Sequence, residues 1–378
     1  MKKILFIFGT RPEAIKMVPL IKYLEKTKLF DYEICVTAQH RDMLDQVLNF
    51  FNIKADFDLN IMKANQDLFD ITSNILLHLK KVLLTSKPDI VLVHGDTTTT
   101  LTASLAAFYL KIPVGHVEAG LRTNNLLSPF PEEANRQLTS RLASYHFAPT
   151  QESYNNLLKE NIDKKSIFIT GNSVIDTLLM TKGLINSSTT IQDRLHTTIE
   201  KNGYTLNPKR KIILVTGHRR ENFGNGFINI CKALSELAHK NQDVDIVYPL
   251  HLNPNVQNVV RQYLDNISNI YLIKPLDYEP FVYLMIQSYI ILTDSGGIQE
   301  EAPSLGKPIL VMRNTTERPE AVEFGTVRLV GTDTKLICKL TQELLDDETV
   351  YQDMASIQNP YGDGNTSQKI IESLQGQL

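Results

Sequence analysis

Cysteine is scarce in this chain. Cys35, Cys231 and Cys338 are too few and too far apart for a disulfide framework, and they stand in no zinc-ligand spacing. A reducing, cytoplasmic setting fits. Charge of one sign is lacking too: a net charge of -3 and a pI near 6.3 provide no basic field for nucleic acid or anionic lipid. There is no run of about 18 apolar residues to span a membrane. Lys2 and Lys3 ahead of residues 4–8 imitate a secretory signal, but the apolar run is short and ends in Gly-Thr-Arg-Pro. No Gly-x-Gly-x-x-Gly follows that run, which argues against a nicotinamide site of the usual form. No short period repeats, so the chain is not a solenoid. His251 has no metal-ligand spacing to another His or Cys and reads as structural or peripheral.

What remains is an ordinary globular composition, 42% hydrophobic and 21% charged, over 378 residues, a length that suits two domains. Short apolar runs at residues 4–8, 33–37, 90–93, 114–117, 145–148 and 167–170 alternate with helically spaced segments. Those segments are 14–27, 41–51, 68–86, 98–110, 132–143 and 152–160. The alternation predicts a parallel sheet with crossover helices. Residues 181–210 are polar and punctuated and read as a crossover with a helix near 191–201. A second series of strands follows near 212–216, 245–249, 270–273, 289–293, 308–312 and 326–330. The tail, 365–378, is a helix candidate with Ile370, Ile371 and Leu374 on one face. It either docks on its own half or crosses back to the first.

The two halves share local sequence. Gly9-Thr10-Arg11-Pro12-Glu13 and Gly217-His218-Arg219-Arg220-Glu221 each follow an apolar run, with Arg two and Glu four residues after the Gly. Two doubly wound domains facing a cleft is the economical reading, with ligands at the carboxyl ends of the strands. In the second half, Asp294-Ser295-Gly296-Gly297-Ile298-Gln299-Glu300-Glu301 joins a strand to a helix read over 298–305. Free N–H groups and missing side chains make that turn an anion site, and the acids behind it suit sugar hydroxyls.

In the first half, Arg11 and Lys16 either contact a diphosphate or line a solvated first turn. Asp96, in His94-Gly95-Asp96-Thr97-Thr98-Thr99-Thr100, is an N-cap or a catalytic group. Glu118 interrupts a buried strand end, and Glu132 stands in the first turn of a helix. Asp96, Glu118 and Glu132 together predict a carboxylate cluster for acid–base work. His218, beside Arg219 and Arg220, suits a diphosphate. Arg318 adds a cation near the glycine turn.

These motifs resemble those of the non-hydrolysing UDP-N-acetylglucosamine 2-epimerases. The matching segments are Gly9-Thr10-Arg11-Pro12-Glu13-Ala14-Ile15-Lys16, His94 to Thr99, Val117-Glu118-Ala119-Gly120-Leu121-Arg122-Thr123, Pro131-Glu132-Glu133-Ala134-Asn135-Arg136, Gly217 to Asn222, Asp294 to Glu301 and Thr316-Glu317-Arg318-Pro319-Glu320. An ending, Asn359-Pro360-Tyr361-Gly362-Asp363-Gly364, matches as well. The resemblance implies an α/β fold of two Rossmann-like doubly wound domains facing a central cleft, the B-type glycosyltransferase fold. It divides the chain into 1–172 with the catalytic carboxylates, 173–360 binding UDP, and a C-terminal helix, 361–378, crossing back to the N-terminal domain.

The implied reaction interconverts UDP-N-acetylglucosamine and UDP-N-acetylmannosamine by anti elimination of UDP through 2-acetamidoglucal and re-addition. In the family it supplies N-acetylmannosamine for bacterial surface polysaccharide. No metal or other cofactor is expected, and a homodimer is. By position, Asp96, Glu118, Glu132 and His218 carry over as catalytic. Arg11, Lys16, Asp96, Glu118, His218, Leu276, Phe281, Ser295, Gly296, Gly297, Glu301 and Arg318 carry over as UDP-sugar contacts, with Glu301 on ribose, Phe281 near uracil and Leu276 through its backbone. Some relatives bind a second UDP-N-acetylglucosamine as activator around Gln39-His40-Arg41. Three alternatives share these features: a UDP-sugar glycosyltransferase of the same fold, a hydrolysing epimerase releasing free N-acetylmannosamine, and a UDP-sugar sensor without turnover.

Overall fold

The computed structural model describes residues 1–38, 41–62 and 66–377, so Gln39 and His40, named above for a second nucleotide-sugar site, lie outside the described residues. The chain divides into two compact units, Met1–Thr177 with Tyr361–Leu378, and Leu178–Pro360.

In the first unit the chain runs β1 (Lys3–Phe8), α1 (Arg11–Thr27), β2 (Asp31–Val36), α2 (Arg41–Phe50), β3 (Phe57–Asp58), α3 (Leu68–Ser86), β4 (Ile90–His94) and α4 (Thr98–Tyr109). It continues through β5 (Val114–Val117), α5 (Glu132–Leu142), β6 (Tyr145–Ala148), α6 (Gln151–Lys159) and β7 (Ile167–Ile169) into α7 (Ser173–Asn186), which crosses the boundary between units. The second unit carries α8 (Thr189–Lys201), β8 (Lys211–Thr216), α9 (Asn225–Lys240), β9 (Val244–Pro249), α10 (Pro254–Leu264), β10 (Ile270–Ile273), α11 (Tyr278–Gln287) and β11 (Ile290–Thr293). After them come α12 (Gly296–Glu301), β12 (Ile309–Val311), α13 (Pro319–Glu323), β13 (Val327–Leu329), α14 (Thr334–Asp346) and α15 (Glu348–Ala355); α16 (Thr366–Gln375) belongs to the first unit.

Among the described residues the strands form two parallel sheets, ordered β3-β2-β1-β4-β5-β6-β7 and β10-β9-β8-β11-β12-β13. Central strands such as β4 and β11 are buried along their whole length, which is why they read as unbroken apolar runs and not as alternating ones. In each sheet the chain winds outward from the central strand on one side, then returns to wind outward on the other. The reversal lies between β1 and β4 in one unit and between β8 and β11 in the other. Ligands in such sheets collect at the carboxyl end of this switch point, where the loops diverge and leave a crevice. The loops carrying Arg11, Asp96, His218 and Ser295 are those that leave these four strands.

The structure departs from the sequence expectation in three places. Residues 181–186, read as part of a polar crossover, are the end of α7, whose Val174, Ile175, Leu178 and Ile185 are buried on one face. β3 is two residues long, too short to leave a period-2 signal. The helix expected over 298–305 is α12, starting at Gly296, followed by a 3₁₀ turn over Ala302–Leu305, because Pro303 has no N–H to continue the α ladder.

The tail helix α16 packs on α1 and buries Ile370, Ile371 and Leu374 completely. Its N-terminus lacks a cap from Asn365, and Asp176 of α7 supplies one, accepting Ser367 N at 2.7 Å and Thr366 N at 3.2 Å. Asp176→Ala should therefore cost about 1–2 kcal/mol, the scale of a lost helix cap. Denaturant unfolding of the full chain would measure this, and an unchanged midpoint would refute the docking role.

Candidate functional site

Each unit concentrates polar side chains at its own switch point. In the first, Thr10 and Glu13 form a capping box on α1, with Pro12 in the first turn. Glu13 does more than cap. Its buried carboxylate accepts Gly9 N at 3.0 Å, Thr10 N at 2.8 Å and Thr10 Oγ1 at 2.8 Å. It also accepts Thr97 Oγ1 at 2.7 Å and Thr100 Oγ1 at 3.2 Å, from the loop after β4. One side chain thus ties the loop of Arg11 to the loop of Asp96. The run of threonines explains itself here, as caps and donors to a buried acid.

Glu118 follows β5 in the left-handed region, with φ 63, and its side chain turns into a nearly closed polar nest. Lys16 Nζ and Asn172 Nδ2, the latter at 3.0 Å, both donate to Oε1. Oε2 lies 3.2 Å from His94 Nε2. Burial pushes His94 down to about 4, so its ring is neutral beside the acid. Lys16, read from sequence as either a diphosphate contact or part of a solvated first turn, pairs with Glu118 in this structure.

Asp96 is held differently. Its side chain pairs with Arg136, and its carbonyl accepts Asn135 Nδ2 at 2.9 Å. Burial raises its pKa above the ordinary carboxylate value, opposed by Arg136 and reinforced by the negative charge of Glu118. The structure therefore brings Asp96 and Glu118 within electrostatic reach of one another and gives them different partners. Glu132 is half-buried at the first position of α5, and among the described residues no hydrogen bond or ion pair joins it to either of them. Its neighbour Glu133 is buried and accepts Thr123 N and Asn124 N at 3.0 and 3.1 Å, stapling the long loop before α5. Arg11 is half-buried, and among the described residues its side chain makes no ion pair. His94, Asn172 and Arg136 had not stood out from the sequence: Asn172 bears no charge, and His94 and Arg136 lie inside motifs whose acids drew attention.

In the second unit, His218 and Arg219 leave β8 and donate their backbone N–H groups to the buried carboxylate of Asp294, at 2.9 and 2.8 Å. The His218 ring stacks on His251 with centroids 5.2 Å apart, so His251 sits against the site. Ser295 is the N-cap of α12 but makes no side-chain cap bond, so the first N–H groups of the helix take none from it. A Cβ built on Gly296 would lie 3.7 Å from the guanidinium groups of both Arg219 and Arg318; one on Gly297 would lie 3.6 Å from Glu301 Oε1. Turn, cations and acid are thus gathered at one strand end. Arg318 pairs with Glu300, whose carbonyl is held by Asn359 Nδ2 at 2.7 Å, while Glu317 links Arg219 and Arg313. Leu276 and Phe281 are half-buried on the loop before α11 and on α11 itself, which packs against the turn over Ala302–Leu305. Arg41 pairs with Asp58 at 2.7 Å. Among the described residues, no group of three or more His, Cys, Asp or Glu side chains could hold a metal ion.

Two kinds of glycine separate here. A Cβ on Gly9 would meet Thr37 Oγ1 at 2.0 Å, and one on Gly217 would meet Tyr248 Oη at 2.8 Å. At Gly296 and Gly297 nothing lies closer than 3.5 Å. Gly9→Ala and Gly217→Ala should lose about 1–3 kcal/mol to overpacking. Gly296→Ala and Gly297→Ala, inside a helix turn, should be neutral or gain up to about 1 kcal/mol. Thermal unfolding of the four variants checks the order; loss at 296 or 297 would mean those glycines serve packing and not ligand access.

Comparison with known proteins came to the same chemistry. A family described as UDP-N-acetylglucosamine 2-epimerase matches residues 22–375. The chain is 60% identical to the UDP-N-acetylglucosamine 2-epimerase of Campylobacter jejuni over 373 residues, 99% of this chain and 97% of that one. It is 59% identical to the enzyme of that name from Escherichia coli K12, over 98% of each chain. Among solved structures, the UDP-GlcNAc 2-epimerase of Neisseria meningitidis bound to UDP-GlcNAc superposes with a TM-score of 0.87 at 56% identity, covering 99% of this chain and all of that one.

Proposed function

The chain belongs to the UDP-N-acetylglucosamine 2-epimerase family, and on that premise we propose how its two switch points divide the reaction. It is an isomerase acting on UDP-N-acetylglucosamine, built from two Rossmann-like α/β domains of the B-type glycosyltransferase class. The first unit handles the proton on sugar carbon 2. The second holds UDP. A carboxylate takes the carbon 2 proton, the C–H electrons form the double bond to carbon 1, and UDP leaves with the electrons of the C1–O bond. The product pair is 2-acetamidoglucal and UDP. Re-addition of UDP with a proton delivered to the opposite face of carbon 2 completes the inversion.

The observation that carries this reading is two acids of the first unit within electrostatic reach of one another in different settings, Glu118 under Lys16 and Asn172, and Asp96 half-buried against Arg136 with its pKa raised. An acid and a base on a common site are what a proton removal and return require. Glu132 is retained in the proposed set, at the first turn of α5, as a group that substrate would have to engage. In the second unit, the glycine turn that opens α12 and the cations Arg219 and Arg318 suit the departing diphosphate, and Glu301 beside Gly297 suits a ribose hydroxyl. The additional neutral setting of His94 keeps a second positive charge away from Glu118.

The same reading includes a homodimer in the cytoplasm. No helix among the described residues is long and apolar enough to cross a membrane, and all three cysteines are free thiols. Phe69, Leu77 and Leu84 project from one face of α3 with 85%, 71% and 53% exposure. Phe108 and Tyr109 of the adjoining α4 are also exposed, an apolar surface of the kind a second copy covers. Leu77→Glu should convert the dimer to monomer in sedimentation velocity; a wild-type chain that sediments as a monomer would remove the dimer from the proposal.

Proton NMR of UDP-N-acetylglucosamine with the protein in deuterated water tests the reaction directly. The expected result is UDP-N-acetylmannosamine with deuterium at carbon 2. Free N-acetylmannosamine would mean a hydrolysing enzyme, no product without an acceptor a transferase, and binding without exchange a sensor. Asp96→Asn and Glu118→Gln should each lower turnover at least about a hundredfold, the usual scale for acid–base groups, while leaving UDP affinity largely intact. Arg318→Ala and Gly297→Ala should do the reverse and chiefly weaken UDP. Near-normal rates in both carboxylate variants would end the acid–base assignment.

A further inference from the structure

Asp294 follows β11 and is completely buried, and its two oxygens are used differently. Oδ2 accepts the backbone N–H groups of His218 and Arg219 at 2.9 and 2.8 Å, and Asn222 Nδ2 at 3.3 Å. Asn222 in turn donates to Met312 O at 3.1 Å, so this oxygen is the centre of the loop's scaffold. Oδ1 takes no part in it. Among the described residues it has no hydrogen-bond partner although it is buried, and it lies 3.5 Å from His218 Nδ1. A buried carboxylate oxygen without a donor is costly, and the scaffold does not need it. The His218 imidazole, 3.5 Å away, is a group able to satisfy it.

We propose that Asp294 is the positioning residue of His218: Oδ1 accepts the Nδ1 proton, which turns Nε2 toward the diphosphate and stabilises the ring in its charged form when UDP leaves. The inference rests on the reading of His218 as the group that meets the diphosphate. At 3.5 Å the contact is slightly longer than a good hydrogen bond, and the side chain of His218 is 40% exposed, so the ring is not locked by burial. Catalytic hydrogen bonds of this kind reach their full geometry in the substrate complex.

The groups facing the ring come from several elements: Asp294 after β11, His251 after β9, and Arg219 beside it in the chain, whose guanidinium is engaged by Glu317 at 3.3 Å. Burial, His251 and Arg219 all push the imidazole toward its neutral form, and Asp294 opposes them. Removing the carboxylate charge therefore lowers the pH at which the ring loses its proton. An arriving diphosphate acts in the same sense as Asp294, so the two anions would hold the proton between them.

The full-length enzyme labelled with ¹⁵N-histidine tests this, with the His218 signal assigned by its loss in His218→Gln. In the wild type, the neutral ring should carry its proton on Nδ1; an Nε2–H ring would overturn the pairing without need of a variant. Asp294→Asn keeps an oxygen for the loop N–H groups and removes the charge. It should lower the His218 pKa by about one unit or more, and move the alkaline limb of kcat/KM for UDP-N-acetylglucosamine to lower pH by the same amount. A purely structural Asp294 would lower the unfolding temperature and leave the His218 pKa where it was, which refutes the proposal. If the pKa moves and the pH profile does not, the pairing is upheld, and it is the assignment of His218 to the reaction that falls.

Discussion

A buried carboxylate that gathers backbone N–H groups at the end of a central strand is the contact on which both switch points depend. Glu13 does this for Gly9 and Thr10 after β1, and Asp294 for His218 and Arg219 after β8. A parallel sheet buried on both faces must stop its ladder somewhere, and the loop N–H groups just past the last rung have neither strand nor water as partner. An acid from a neighbouring strand or helix satisfies two at once, through charge-assisted bonds. The glycine that precedes each loop is required for the same reason. Gly9 is pressed against Thr37 and Thr99, and Gly217 against Tyr248, so a side chain at either would push the loop off its acid.

The same economy governs the charged groups. Three cations of the first unit are met by an acid: Lys16 by Glu118, Arg136 by Asp96, and Arg122 by Glu160, the last as a fork at 2.6 and 3.0 Å. Such pairs add little net stability, since desolvation offsets their attraction, but breaking one leaves an uncompensated charge. They hold side chains at defined places. Histidines in this interior are kept neutral by burial, His94 near 4 and His116 near 3, the latter donating from Nε2 to Gly95 O at 2.7 Å. The histidine beside Glu118, His94, is thus held in its neutral form near neutral pH.

Periodicity carried most of the architecture. Long buried strands and amphipathic helices are local patterns, and the runs at 114–117 and 145–148 coincide with β5 and β6, as 68–86 does with α3. Short elements were not legible, because β3 owes its existence to the edge of β2 and not to its own two residues. The candidate site was legible as motifs: acids and glycines at strand ends are conspicuous where apolar residues belong. Their partners were not. Asn172 is 54 positions from Glu118, Asp294 is 76 from His218, and no spacing rule links them.

The amino-acid sequence by itself determined two parallel α/β units, the chemistry of their strand-end loops and the family to which those loops belong, because each is written within a few consecutive residues. Only the tertiary structure decided that Lys16 serves Glu118, that Glu133 and not Glu132 staples the loop before α5, that His251 lies against His218, and that Asp294 has an oxygen to spare. Those outcomes follow from which strands become neighbours. Strand order is set by the winding of the whole chain, and a pairing across a sheet has no signature in either segment alone.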